Sequence, residues 1–168
     1  MASPTPNQPN MPLLRFTKVC KRYADRVILD QISVDIPAGE RVALMGPSGS
    51  GKTTLLNCAG GIDTPDSGDI SFQGNPIHLM DEEALARLRR ESIGSVFQFF
   101  HLLPHLTAAE NVELPLQLLK KPRAEREATV RELLESVGVS HRADAFPAKL
   151  SGGEQQRIAI ARSLAARP

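Results

Sequence analysis

One octapeptide, Gly46-Pro47-Ser48-Gly49-Ser50-Gly51-Lys52-Thr53, limits what this chain can fold into more than any other feature. It comes after a short apolar run, Arg41-Val42-Ala43-Leu44-Met45, and precedes Thr54-Leu55-Leu56-Asn57-Cys58-Ala59, a stretch of helical composition that stops at Gly60-Gly61. The order predicts strand, glycine-rich loop, helix. A nearly continuous apolar strand suits a sheet covered on both faces, and the paired glycines suit a left-handed helix end. Glycines at 46, 49 and 51 let successive backbone N–H groups turn inward as an anion nest, toward which the helix also directs its positive dipole end. Lys52 is placed to contact the β- and γ-phosphates of a nucleotide, and the Thr53 hydroxyl to bind Mg²⁺. Pro47, Ser48, Ser50 and Thr54 complete the expected cradle.

A second glycine motif stands downstream, Leu150-Ser151-Gly152-Gly153-Glu154-Gln155-Gln156. It opens a segment in which Ile158, Ala161, Leu164 and Ala165 form an apolar stripe, so it reads as another helix start and another anion site. A helix cap by Ser151 and nothing more would suit Ser-Gly-Gly. That alternative leaves Glu154-Gln155-Gln156 unexplained.

The two motifs together resemble the ATP-binding cassette (ABC) ATPases, and the resemblance covers essentially everything after residue 12. It implies an α/β P-loop core with an N-terminal antiparallel β portion and a helical subdomain. It also implies that Ser151, with Gly152, Gly153 and Glu154, reaches the γ-phosphate of ATP held by a second ATP-binding subunit, giving a dimer with two shared sites. Gln98 matches the family's loop glutamine, a ligand near Mg²⁺ and the attacking water. Tyr23 matches the aromatic that stacks on adenine, a contact that binds the base without strict selection. The catalytic set so implied is Lys52, Gln98 and, in trans, Ser151.

Residues from Phe97 to Leu116 look like the bacterial branch that serves lipoprotein release and macrolide-type efflux. In that reading, an integral membrane permease subunit docks near Gln98 to Leu106. Phe99, Phe100, Leu102 and Leu103 are more apolar than a solvated loop needs, although they would equally fill a seam between sheet and helical insert. His101 and His105 flank Pro104, which argues against a helical metal-chelating pair.

The expected organisation is a disordered tail over residues 1–12, rich in Pro and Asn, and then one ATP-binding domain over 13–168. Within it, 13–97 and 154–168 form the P-loop core and 98–153 the helical insert with its signature loop. Strands are predicted over Leu13 to Val19, Val27 to Ile36, Arg41 to Met45, Asp69 to Phe72 and Ile93 to Phe97. Asp81 to Glu91 is predicted helical. Thr107-Ala108-Ala109-Glu110 is a capping-box signature, Pro115 is expected to kink or break the helix that begins there, and Val130, Leu133, Leu134 and Val137 recur at helical spacing before Gly138.

Composition narrows the partners. Among 168 residues, 41% are hydrophobic, and 20 Lys plus Arg balance 19 Asp plus Glu, so no bulk charge drives the chain to nucleic acid or anionic lipid. Cys20 and Cys58 lack metal-ligand spacing and read as packed thiols. No apolar run approaches the roughly 20 residues of a membrane span. The expected location is cytoplasmic, peripheral on the membrane through the permease.

In the family, the stretch after Arg167-Pro168 holds a strand ending in Asp-Glu and a switch histidine. The chain is therefore expected to be incomplete at its C-terminal end, with apolar edges prone to aggregation. Without those groups, these residues are expected to bind ATP and turn it over poorly alone. Two alternatives stand beside the transporter subunit: a soluble cassette ATPase of the DNA-repair or translation type, and a non-catalytic nucleotide-binding module.

Overall fold

Residues 14–36 fold on themselves because two apolar-rich stretches flank the pair Ala24-Asp25, with Ala24 in the left-handed region at φ 50°. Strands β1 (Leu14–Tyr23) and β2 (Arg26–Ile36) pair antiparallel, closing at Tyr23 opposite Arg26. The computed structural model describes residues 11–168. Most of the tail expected over 1–12 lies outside them, and Pro12 is buried.

Strand β3 (Ser67–Phe72) adds to the other side of β1, and the short β4 (Asn75–Pro76) pairs with β3. The order is β2-β1-β3-β4, antiparallel throughout, as expected for the N-terminal β portion. Phe16, Val19, Leu29 and Ile70 are buried, so β1 and its neighbours share an apolar face. Helix α1 (Lys52–Ala59) leaves the glycine-rich loop and ends at Gly60, with Gly61 left-handed at φ 61°. Burial pushes the Cys58 thiol on this helix up to about 11, leaving an un-ionised packing group. Helix α2 (Glu82–Ser92) carries Glu82 and Glu83 in its first turn and Arg89 and Arg90 in its last, complementing the helix dipole at both ends.

The chain groups into two units, the described residues through Leu85 and residues 86–168. In the second, α3 (Ala108–Leu118), α4 (Arg123–Ser136) and α5 (Gly152–Leu164) build a helical core. Val112 and Leu116 from α3, Val130 and Leu134 from α4, and Ile158 and Ala161 from α5 meet there. A fully buried side chain of Ile size contributes about 1.5–3 kcal/mol, which makes Ile158 a principal anchor of α5. Gly138, left-handed at φ 69°, ends α4 where the Val130 to Val137 periodicity stops.

Three expectations are corrected. Arg41 to Met45 and Ile93 to Phe97 are not strands, and neither has a ladder partner among the described residues. An apolar run becomes a strand only when a neighbour takes its N–H and C=O groups, so Val42, Leu44 and Met45 stay exposed, Met45 at 90%. Pro115 does not break α3, which continues to Leu118. It withholds one N–H, but the buried face formed by Val112 and Leu116 holds the helix, and Leu119 N–H donates to the Pro115 carbonyl at 3.1 Å.

Candidate functional site

In the first unit the glycine-rich loop folds around the Lys52 ammonium. Its Nζ donates to the carbonyls of Gly46 at 2.9 Å and Pro47 at 2.7 Å and to Ser50 Oγ at 3.3 Å. The backbone reaches this shape through positive φ at Gly46 (151°), Gly49 (77°) and Gly51 (91°). At Gly51 a Cβ would meet the Ile28 carbonyl at 2.8 Å, so only glycine lets α1 start this close to β2. No side chain caps α1 and no acidic residue sits in its first turn, so its leading N–H groups remain available to an anion. Loop and helix start thus fit a polyphosphate. Thr53 is the first exposed hydroxyl on α1, a hard oxygen donor of the kind Mg²⁺ takes alongside phosphate and water.

Tyr23 stands at the end of β1 and is 48% exposed as a residue. Its phenol donates to Asp63 Oδ2 and has the Thr54 side chain within bonding reach, which sets the ring beside α1. The hydrogen bond to Asp63 and partial burial raise the phenol above its ordinary value. Lys21 donates to Asp63 Oδ1 at 2.7 Å and to the Thr64 carbonyl at 2.6 Å, and lies 5.4 Å from the Tyr23 ring centroid. Burial works against the ionised Asp63, but the bonds from Lys21 and Tyr23 outweigh it and hold the carboxyl below its ordinary value. Sequence reading singled out Tyr23 as a candidate but not Lys21 and Asp63, which the structure brings to it. The partners lie 40 positions apart, and no local spacing announces them.

In the second unit Gln98 is exposed in a turn. Just beyond it, Phe100 and His101 take left-handed φ values of 59° and 46°. Arg162 of α5 donates Nη2 to the Phe100 carbonyl and Nη1 to the His101 carbonyl, both at 2.7 Å. Two bonds from one planar fork hold a backbone shape that costs a non-glycine residue roughly 1–3 kcal/mol. His101 stacks on Phe97, with centroids 4.8 Å apart. Phe99 is exposed, whereas Leu102 packs against the helical core.

Asn111 is fully buried and ties the loop that precedes α3. Its Oδ1 accepts from Leu103 N–H at 2.8 Å, and its Nδ2 donates to the carbonyls of Leu103, Leu106 and Thr107. Beside this segment lies a groove of about 450 Å³, bordered by Phe97, His101, Leu114, Leu118 and Arg162.

Ser151 caps α5. Its Oγ accepts from Glu154 N–H at 3.3 Å, while its own N–H donates to Glu154 Oε2 at 2.7 Å, a full capping box. Arg142 Nε lies 2.9 Å from Glu154 Oε1. The Ser151 backbone and hydroxyl bonds, then Arg142, hold the Glu154 carboxyl below its ordinary value. Gly152 has ordinary negative φ, and a Cβ there would meet nothing within 4 Å among the described residues. The chain's own packing does not require glycine at this position.

A glycine-rich cradle at a helix start, an uncapped α1 and a second glycine helix start on α5 define a nucleotide-binding P-loop protein. Residues 29–168 match the ABC transporter family, and the chain belongs to it. Among solved structures it is similar to the ATP-binding cassette MJ0796 in a dimeric post-hydrolysis state bound to ADP and Pi, at 41% identity and a TM-score of 0.84. That match covers 92% of this chain and 70% of the other. A second dimeric structure of MJ0796, a bacterial ABC transporter cassette, gives 40% identity and a TM-score of 0.86 over the same shares. The α/β ABC fold, with its antiparallel β portion and helices, is therefore established for this chain.

Proposed function

We propose that this chain is the ATP-binding subunit of an ABC transporter, coupling ATP binding and hydrolysis to transport by a membrane partner. The observation that carries it is Lys52, whose ammonium three loop oxygens hold at the mouth of an uncapped helix. Phosphate oxygens replace those neutral acceptors with charged ones, a gain for each bond. Gly46 to Thr54 cradle the phosphates, and Tyr23 offers a half-exposed ring to the base. Thr53 would hold Mg²⁺, which would neutralise charge on the phosphates, and the family's loop-glutamine pattern assigns Gln98 as the residue that would contact the metal and orient the attacking water.

Ser151, Gly152, Gly153 and Glu154 act on the nucleotide of a second ATP-binding subunit. Support comes from Gly152, a glycine that its own chain does not demand, and from the dimeric assembly of the similar cassettes. The groove beside Phe97 and the exposed Phe99 support docking of a permease helix near Gln98 to Leu106. The working location is then the cytoplasmic face of the membrane; among the described residues no helix is long and apolar enough to cross one.

Calorimetry with Mg-ATP tests the reading. Lys52→Ala removes a charge-assisted bond worth roughly 1.5–3 kcal/mol, so affinity is expected to fall about tenfold or more. Equal affinity in the two proteins would overturn it.

A further inference from the structure

We infer that Lys21 and Asp63 form a clamp that fixes the Tyr23 ring for base stacking, so that nucleotide affinity depends on two residues that touch neither phosphate nor base. The inference rests on the reading of Tyr23 as the base platform and adds what holds that platform still.

An exposed tyrosine on a strand end turns freely about its side-chain bonds, and stacking a base on it costs that freedom. Here the freedom is already spent. The phenol donates its single proton to Asp63, and the other carboxylate oxygen is fixed by Lys21 at 2.7 Å and by Thr64 N–H at 2.8 Å. Lys21 is in turn buried and holds the Thr64 carbonyl, so the clamp is anchored in the backbone of the 63–64 turn.

Two consequences concern specificity. Because its proton is committed to Asp63, the hydroxyl has none left to donate to an acceptor on a base edge, so the platform offers the base chiefly a flat aromatic surface. Because the Lys21 ammonium lies over the ring at 5.4 Å, that face is covered. A base stacks on the opposite face, and Lys21 withdraws charge from the ring toward itself.

The test compares ATP with inorganic triphosphate, which needs the glycine-rich loop but has no base. Lys21 and Asp63 are positioning residues, so their loss is expected to weaken ATP and leave triphosphate alone. Asp63→Asn and Tyr23→Phe are each expected to lower ATP affinity about three- to tenfold, the size of re-imposing order on one side chain. Triphosphate affinity stays at the wild-type level and shows that the loop is still folded. Tyr23 is the only tyrosine and the chain has no tryptophan, so intrinsic tyrosine emission reports this ring alone. Asp63→Asn is expected to change its intensity and lower its anisotropy.

Tyr23→Ala separates the clamp from the platform. If Tyr23→Ala weakens ATP while Asp63→Asn and Tyr23→Phe do not, the clamp is wrong and the platform stands. If Tyr23→Ala binds ATP like wild type, the platform itself is wrong and the clamp falls with it. Equal weakening of ATP and triphosphate by Asp63→Asn would show a general loss of structure and overturn the inference as well. Tyr23→Phe keeps the question open to disproof should Asp63→Asn not fold, since it removes one exposed hydroxyl and no buried group.

Discussion

The Ser151 hydroxyl donates to Glu154 Oε2 at 2.8 Å and accepts from the Glu154 backbone N–H in return. The carboxylate also takes the Ser151 N–H at 2.7 Å. This exchange defines the start of α5 and places Ser151 at its tip.

Acid is expected to undo that exchange. The folded carboxyl of Glu154 lies below its ordinary 4.5 because the Ser151 backbone N–H and hydroxyl, helped by Arg142, favour the ionised form. A depressed folded value means a contribution that is fully present above the unfolded value and lost as pH falls through the folded one. Urea midpoints of wild type and Glu154→Gln are expected to differ most near neutrality and to converge as pH drops below 4.5. A gap that stays constant with pH would remove ionisation as the cause.

Ser151→Arg puts a bulky cation at the helix start proposed to face a partner's nucleotide. ATP binding by one chain is expected to be nearly unchanged, and ATP-dependent association measured by ultracentrifugation is expected to vanish. A mutant that still associates on ATP addition would place the interface elsewhere.

Arg162→Lys keeps the charge but loses the fork that reaches two consecutive carbonyls. Hydrogen exchange over residues 98–101 is expected to accelerate, and stability to fall by about 2 kcal/mol for the lost charge-assisted bonds. Full protection in the lysine variant would mean that the left-handed pair Phe100 and His101 holds itself.

Asn111→Asp replaces a buried amide donor that satisfies three carbonyls with an acceptor facing them. A loss of about 2–4 kcal/mol at neutral pH is expected, measured by urea unfolding. Part of it is expected to return as the pH is lowered and the carboxyl gains a proton. No recovery in acid would point to shape rather than charge.

Much of the candidate site was readable because its determinants are local. The glycine-rich loop, the Thr107–Glu110 capping box and the Val130 to Val137 stripe all act over three to eight residues, and each appears where its spacing placed it; the Ser151–Glu154 box is equally local, and it accounts for Glu154, which a cap by Ser151 alone left unexplained. Interactions of that range are written into consecutive side chains. Pro115 does not break its helix, because packing of Val112 and Leu116 outweighs one missing N–H.

Tertiary structure decided what depends on distant partners. Arg162 reaches carbonyls 61 and 62 positions away, and Tyr23 finds Asp63 across 40. Neither pair has a spacing that marks it. Arg41 to Met45 and Ile93 to Phe97 have the composition of strands, yet a strand exists only in company. The sequence by itself determined the local shapes of the glycine-rich loop and the helix caps, since those need only neighbours along the chain; which polar groups steady Tyr23 and the loop after Gln98, and which apolar runs enter a sheet, was decided by partners that only folding brings within hydrogen-bonding distance.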